Sequence, residues 1–130
     1  GTLVSLGSAL ALAVAMDLTR EQYVTLLPKS VTTAISMDVA AELGGIAALT
    51  GAIVILTGIA GNLLAETVCK VFHITDPIAK GVGIGTSAHA VGTSKALQMG
   101  EVEGAMSGLS IAVAGVLTAV LCPIFVNFIG

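Results

Sequence analysis

The sequence predicts an all-α, polytopic helical membrane protein with about five crossings and two interrupted polar helices. Hydrophobic residues make up 55% of the 130 residues and charged residues only 10%, a balance far from that of soluble globular domains. A soluble domain of this size needs a polar exterior, which five basic and eight acidic residues cannot supply. Three apolar stretches, 2–16, 46–68 and 104–129, have lengths typical of most or all of a membrane span. We therefore expect the lipid bilayer to be the solvent of this chain.

The composition also argues against several classes of function. The net charge of -3 does not fit nucleic-acid binding, which needs a basic surface. Cys69 and Cys122 have neither metal-binding nor redox spacing, so we expect two lipid- or core-facing thiols and no metal or cofactor. Ser87 and His89 lack the third member and the nucleophile elbow of a hydrolase, so the chain is expected not to be an enzyme. A GxGxxG-like pattern at 83–88 is set aside, because no strand precedes it.

The basic residues predict the topology. Arg20, Lys70 and Lys80 fall on one side of the membrane if both polar segments cross it, and the opposite loops then carry no basic residue. This distribution satisfies the positive-inside rule with five crossings and an inside C-terminus. A re-entrant segment at Pro28 would instead separate Arg20 from the two lysines. The chain starts within an apolar stretch and without an initiator Met, so we expect a truncated or excised piece of a multi-pass protein.

The first polar segment, 27–37, places a lysine and several hydroxyl groups between apolar stretches. A helix is predicted from about Pro28, where a proline suits the first turn, to Leu43, before a Gly-Gly pair. Helical spacing would bring four polar side chains onto one face or beside it: Lys29, Ser30, Thr33 and Ser36.

The second polar segment, 83–95, follows the helix start signal Asp76-Pro77. Glycines at every second position in 81–85 weaken that helix, so a break is predicted there. A half-helix is then predicted from residue 86 or 87 to about Met99.

The two polar segments are related by a weak internal repeat with an offset of 57 residues. Both copies read as a polar half-helix, a glycine link and a span of small residues, in the same orientation. Broken helices in corresponding positions are a known pointer to a transporter site. Three polar pairs align at this offset: Ser30 with Ser87, Thr32 with His89, and Ser36 with Thr93.

We predict that the two polar segments face one another across a small-anion site within the membrane. Polar side chains at membrane depth are costly and usually face a cavity or a pathway. The N-terminus of a half-helix has free N–H groups and a partial positive charge that favour a carboxylate, and Lys29 adds a formal charge. Two alternatives stay open: Lys29 extends to the membrane interface from a helix end, and the hydroxyl groups bond only to their own backbone. The predicted substrate-binding residues are Lys29, Ser30, Thr32, Thr33, Thr86, Ser87, His89 and Thr93.

Three further features allow two interpretations each. His89 either carries a proton or packs between helices. Asp38 and Glu42, four residues apart, are either proton-coupling carboxylates or a solvated interfacial pair. The GxxxG spacings within 100–108 pack helices either inside the fold or between the protomers of a homo-oligomer.

Four stretches of the chain carry a family resemblance: 27–33 (LPKSVTT), 44–50 (GGIAALT), 76–81 (DPIAKG) and 85–93 (GTSAHAVGT). They resemble the LrgB/CidB family of membrane proteins, and the similarity covers nearly the whole chain. The match is to the C-terminal part of that family, so 1–130 is expected to be an LrgB-family transmembrane domain whose N-terminal portion is absent. Family members commonly have Pro and Ala-Met-Glu where this chain has Ala34 and Ser36-Met37-Asp38, a departure that affects the expected local helix kink.

The resemblance implies two classes of function. Bacterial members are described as antiholin- or holin-like proteins that modulate murein hydrolase activity and autolysis with a small LrgA/CidA-type membrane partner. The related plastid protein is a glycolate/glycerate translocator, and bacterial relatives are linked to pyruvate movement. Because a holin-type pore needs amphipathic helices and not two paired polar breaks, we expect a carrier of small monocarboxylates. The alternative is an antiholin-like structural regulator, and a bacterial inner membrane is the expected location of either.

Overall fold

The computed structural model describes residues 1–129, which form six α-helices and no strand. The all-α prediction is therefore confirmed for the described residues. The helices are α1 (Thr2–Ala15), α2 (Arg20–Leu26), α3 (Thr33–Glu42), α4 (Ala47–Val71), α5 (Pro77–Met99) and α6 (Glu101–Val126).

Among the described residues, α4 and α6 are long and apolar enough to cross a membrane, with 25 and 26 residues. Large apolar side chains project outward from both helices, such as Leu63 on α4 at 74% exposure and Val116 on α6 at 68%. Exposed apolar surface of this extent fits contact with lipid or with another protein. The 14 residues of α1 fall short of the roughly 20 that a helix needs to cross the hydrocarbon core alone. The figure of five crossings therefore stays a prediction.

Several helix ends follow the signals in the sequence. The Ala79 N–H donates to Asp76 Oδ1 at 2.8 Å, and Pro77 occupies the first position of α5, as predicted. Gly44 has a φ of 86° after α3, a conformation that glycine adopts without steric cost. A capping box at Thr19 starts α2, although the sequence analysis did not use this signal.

The first polar segment does not form a continuous helix from Pro28. The helix α3 begins at Thr33, and the preceding link 27–32 is non-helical. Ser36 Oγ donates a hydrogen bond to the Pro28 carbonyl oxygen at 2.7 Å, and this side-chain bond competes with a continued helix. The predicted helix start at Pro28 is therefore wrong, and Lys29 does not share a helical face with Thr33.

The helix α5 is interrupted at His89, beyond the glycines where the break was predicted. His89 has φ 44° and ψ −140°, whereas 81–85 is helical. Gly81 and Gly85 permit the close approach of α6: a Cβ added to Gly81 would lie 3.1 Å from Glu103 Cα, and one added to Gly85 would lie only 2.9 Å from Ser107 Cα. Small residues commonly permit such close contacts between membrane helices, and this packing outweighs the low helix propensity of glycine.

The helix boundaries follow the same offset of 57 residues as the polar residues. We call 20–42 the first copy and 77–99 the second copy. The repeat seen weakly in the side chains is thus accompanied by a break at the same position in each copy, although the first break extends over 27–32 and the second is confined to His89. Three pairs of positions coincide: the starts Arg20 and Pro77, the interruptions Thr32 and His89, and the ends Glu42 and Met99.

An apolar core formed by α1, α2 and α6 fixes the position of the link 27–32. Tyr23 and Leu27 are fully buried in this core. Tyr23 Oη donates to the Phe125 carbonyl oxygen at 3.1 Å, which satisfies an acceptor in the last turn of α6. The link therefore leaves the core at a defined point and passes beside α1.

Candidate functional site

The two polar segments meet at a cavity of about 550 Å³ bordered by α1, α4, α5 and the link 27–32. We call it the Lys29 cavity. Hydroxyl groups and small residues dominate its lining, and Lys29 is its charged side chain. It is lined by Gly1, Val4, Ser5, Ser8, Lys29, Ser30, Thr57, Gly61, Gly83, Thr86 and Ser87.

Lys29 supplies a positive charge that no carboxylate of residues 1–129 neutralises. Its Nζ lies 3.3 Å from Ser30 Oγ and 3.4 Å from Ser5 Oγ. Ser5 Oγ in turn donates to Ser30 Oγ at 2.7 Å. Both ion pairs in the described part of the chain involve Glu66 instead. A half-buried ammonium group among neutral hydroxyls favours an anionic ligand, because the charge is partly desolvated and has no counterion.

The helix α5 contributes Thr86 and Ser87 to the lining of the cavity. Thr86 Oγ1 donates to the Val82 carbonyl oxygen at 2.8 Å, and Ser87 Oγ donates to the Gly83 carbonyl oxygen at 2.7 Å. Both hydroxyl hydrogens are thus used by the helix itself, as in the backbone-bonding alternative. Their oxygen atoms remain acceptors, which suit a ligand that carries a hydroxyl group.

The Lys29 cavity lies where the two copies meet. Thr86 and Ser87 stand 57 positions after Lys29 and Ser30, and the cavity is lined by all four. Equivalent positions of the two copies therefore converge on one space next to the interrupted helices. In transporters built from internal repeats, broken helices in corresponding positions mark the substrate site.

The other predicted site residues do not line this cavity. They are Thr32, Thr33, His89 and Thr93. His89 is only 2% exposed, and its Nε2 lies 2.8 Å from the Val54 carbonyl oxygen of α4. Because a carbonyl oxygen can only accept, Nε2 is the donor in this hydrogen bond. Thr93 Oγ1 donates to the His89 carbonyl oxygen at 2.9 Å and shares a hydrogen bond of 2.7 Å with Ser107 Oγ. These contacts place His89 and Thr93 at the packing of α5 against α4 and α6.

Three hydroxyl groups of the cavity were missed by the sequence analysis. Ser5 and Ser8 come from α1, which was treated as a plain apolar span, and Thr57 comes from α4. Residues three apart share a helical face, so the spacing of Ser5 and Ser8 is the signal that could have identified them.

We expect the variant His89→Gly to be more stable than His89→Ala by about 1–3 kcal/mol. Both substitutions remove the hydrogen bond to Val54, but glycine alone adopts φ 44° and ψ −140° without steric strain. The difference in stability between the two variants therefore isolates the free energy of backbone strain at residue 89. Unfolding of the full-length protein in detergent measures it, and an alanine variant as stable as the glycine variant would contradict a strained break.

The two remaining ambiguous features are resolved by their surroundings. A Cβ added to Gly104 would lie 3.1 Å from Leu97 Cα, whereas one added to Gly108 would meet no atom within 4 Å. Gly104 therefore packs helices inside the fold, and Gly108 faces outward. Asp38 and Glu42 are both exposed, as expected of a solvated or interfacial pair.

Comparison with known proteins identifies the family. The sequence model of the LrgB-like family matches residues 1–128. Similar curated proteins include the Antiholin-like protein LrgB of Bacillus mycoides (strain KBAB4), Bacillus cereus (strain B4264) and Bacillus anthracis (strain CDC 684 / NRRL 3495). Each is 41% identical over 106 residues, which are 82% of this chain and 46% of the relative.

The chain thus spans about half the length of the curated relatives it matches. No solved structure matches it. The resemblance carried by the four sequence stretches is confirmed, and the chain belongs to the LrgB-like family.

Proposed function

We propose that this chain is part of an antiholin-like protein of a bacterial cell membrane, which restrains murein hydrolase activity with a small LrgA/CidA-type partner. The observation that supports this function is the match to relatives named Antiholin-like protein LrgB over most of the chain. The two long apolar helices fit a location in the membrane. The mechanism proposed is assembly, with exposed apolar faces of α4 and α6 as contacts to lipid and partner.

The test is the rate of autolysis in cells that lack the full-length protein, with and without a plasmid that restores it. Restoration is expected to slow autolysis and to lower the murein hydrolase activity of cell extracts. Equal lysis rates in the two strains, at equal expression of the partner, would contradict the antiholin-like function.

A second candidate function, the transport of a small monocarboxylate such as glycolate, glycerate or pyruvate, is favoured by the Lys29 cavity. The ammonium group of Lys29 and the hydroxyl group of Ser30 suit a carboxylate. The acceptor oxygens of Thr86 and Ser87 suit the hydroxyl group of a 2-hydroxy acid. A volume of about 550 Å³ also leaves room for water beside so small a ligand. In this proposal the transporter crosses the membrane several times and binds its substrate beside the two interrupted helices.

Proteoliposomes that contain the full-length protein test the carrier function directly. We expect saturable uptake of a labelled monocarboxylate that an unlabelled monocarboxylate inhibits and an amino acid of similar size does not. Uptake equal to that of empty liposomes would contradict the carrier function and leave the antiholin-like function standing.

A further inference from the structure

A second cavity, of about 490 Å³, opens at the end of the structure where α4 leads into α5. We call it the surface pocket. Basic side chains from both helices and from the loop between them border it: Lys70, His73 and Lys80. These three residues belong neither to the Lys29 cavity nor to the apolar core.

The charges around the surface pocket leave it basic. Its one carboxylate, Glu66, lies 2.6 Å from Lys95 Nζ and 3.8 Å from Lys70 Nζ, so it is already paired twice. Lys80 has no ion-pair partner within residues 1–129. Two lysines against one carboxylate give its lining an excess of positive charge, and such an excess between low-dielectric walls raises the local concentration of anions. The surface pocket therefore attracts small anions.

A groove of about 290 Å³ between α4 and α5 shares lining residues with both this pocket and the Lys29 cavity. The groove shares Cys69, Ile74 and Lys80 with the surface pocket. At its other end it shares Gly61, Gly83 and Ser87 with the Lys29 cavity. The three spaces thus follow one another along the contact of α4 with α5.

We propose that the surface pocket is the entrance through which a small organic anion reaches the Lys29 cavity. This proposal rests on the carrier function proposed above. Lys70 and Lys80 collect the anion from solvent, and the groove, where a Cβ at Gly83 would meet no atom within 4 Å, is its route inward. Lys29 then pairs with the carboxylate at the inner end.

Cys69 provides a test of the entrance that does not depend on transport, because it lines both the surface pocket and the groove. The full-length protein is treated at low salt with negatively and positively charged methanethiosulfonate reagents of equal size. The variant Cys69→Ser gives the background. We expect the negative reagent to modify Cys69 faster, and the double substitution Lys70→Gln, Lys80→Gln to reduce that preference about tenfold. An equal rate for both reagents, or no modification by either, would overturn the proposal.

Uptake measurements test the passage itself. Lys80→Gln is expected to raise the apparent KM for the monocarboxylate about three- to tenfold at low salt, and much less at high salt, because salt screens exposed charges. Gly83→Leu is expected to lower uptake strongly, since a Cβ at Gly83 meets no atom within 4 Å and the added side chain narrows the groove at its junction with the Lys29 cavity, which Gly83 also lines. Gly108→Leu is the matched control: its Cβ is equally unhindered, and Gly108 lines none of the three spaces.

The outcomes separate the two proposals. No uptake by the unmodified protein would contradict the carrier function. Normal uptake by the unmodified protein together with normal uptake by Lys80→Gln and Gly83→Leu would contradict only the entrance.

Discussion

Replacing Lys29 with methionine is expected to reduce monocarboxylate uptake by about 10- to 150-fold. A hydrogen bond to a charged group contributes about 1.5–3 kcal/mol, and each 1.4 kcal/mol changes a binding constant about tenfold. Methionine keeps the length and most of the volume of the side chain but removes the ammonium group. Ser5 and Ser30 remain bonded to each other at 2.7 Å, so the wall of the cavity retains a partner for each of these hydroxyl groups. The measurement is initial uptake into proteoliposomes over a range of substrate concentrations.

Arg20→Gln is the control for this variant. It also removes one positive charge, but Arg20 is exposed and lines none of the three spaces described above. An equal loss of uptake in both variants would show a general effect of net charge and would contradict a specific role of Lys29. The same pair of variants separates the two proposed functions: if the antiholin-like function depends on assembly alone, Lys29→Met leaves the rate of autolysis unchanged.

Replacing Gly85 with leucine is expected to destabilise the packing of α5 against α6. A Cβ at this position would lie 2.9 Å from Ser107 Cα and 3.0 Å from Ser107 C, and backbone atoms cannot move aside as a flexible side chain can. Overpacking of this kind costs about 1–3 kcal/mol and sometimes more. Because the full leucine side chain extends beyond the Cβ, we expect the variant at the upper end of this range. The thermal midpoint in detergent and the yield of monodisperse full-length protein measure the loss.

Gly108→Leu serves as the control for packing as well. It adds the same side chain to α6 at a position where a Cβ meets no atom within 4 Å. We expect its thermal midpoint to stay close to that of the unmodified protein. Equal destabilisation by both substitutions would mean that leucine is poorly tolerated anywhere on these helices, and the close approach at Gly85 would lose its support.

The sequence predicted the helical fold and several helix ends because these depend on local chemistry. Apolar stretches of sufficient length, the Asp76 cap and the Gly44 turn each act within a few neighbouring residues. The positions of the two interruptions were predicted less well, because glycine in a membrane helix signals either a break or a close contact. Which of these applies at Gly85 depends on α6, and the sequence of α5 alone does not contain that information.

Only part of the candidate site was predicted, again because contacts between helices are not contained in the local sequence. Lys29 and Ser87 line one cavity, since both belong to polar segments next to interrupted helices, whereas their role in binding stays a prediction. His89 and Thr93 lie elsewhere, because the break occurs at residue 89 itself and changes the direction of the side chains that follow. The serines of α1 were overlooked because the apolar character of that helix concealed a short polar face.

Helix ends that recur at a constant spacing of 57 residues give the two copies corresponding positions around the Lys29 cavity. The two copies differ at one informative position, where the first has Lys29 and the second has Thr86. Two identical halves would have treated both ends of a ligand alike. With a single lysine, the Lys29 cavity is asymmetric in charge, so an acid carried by the proposed transporter would bind there in one orientation, with its carboxylate toward the first copy.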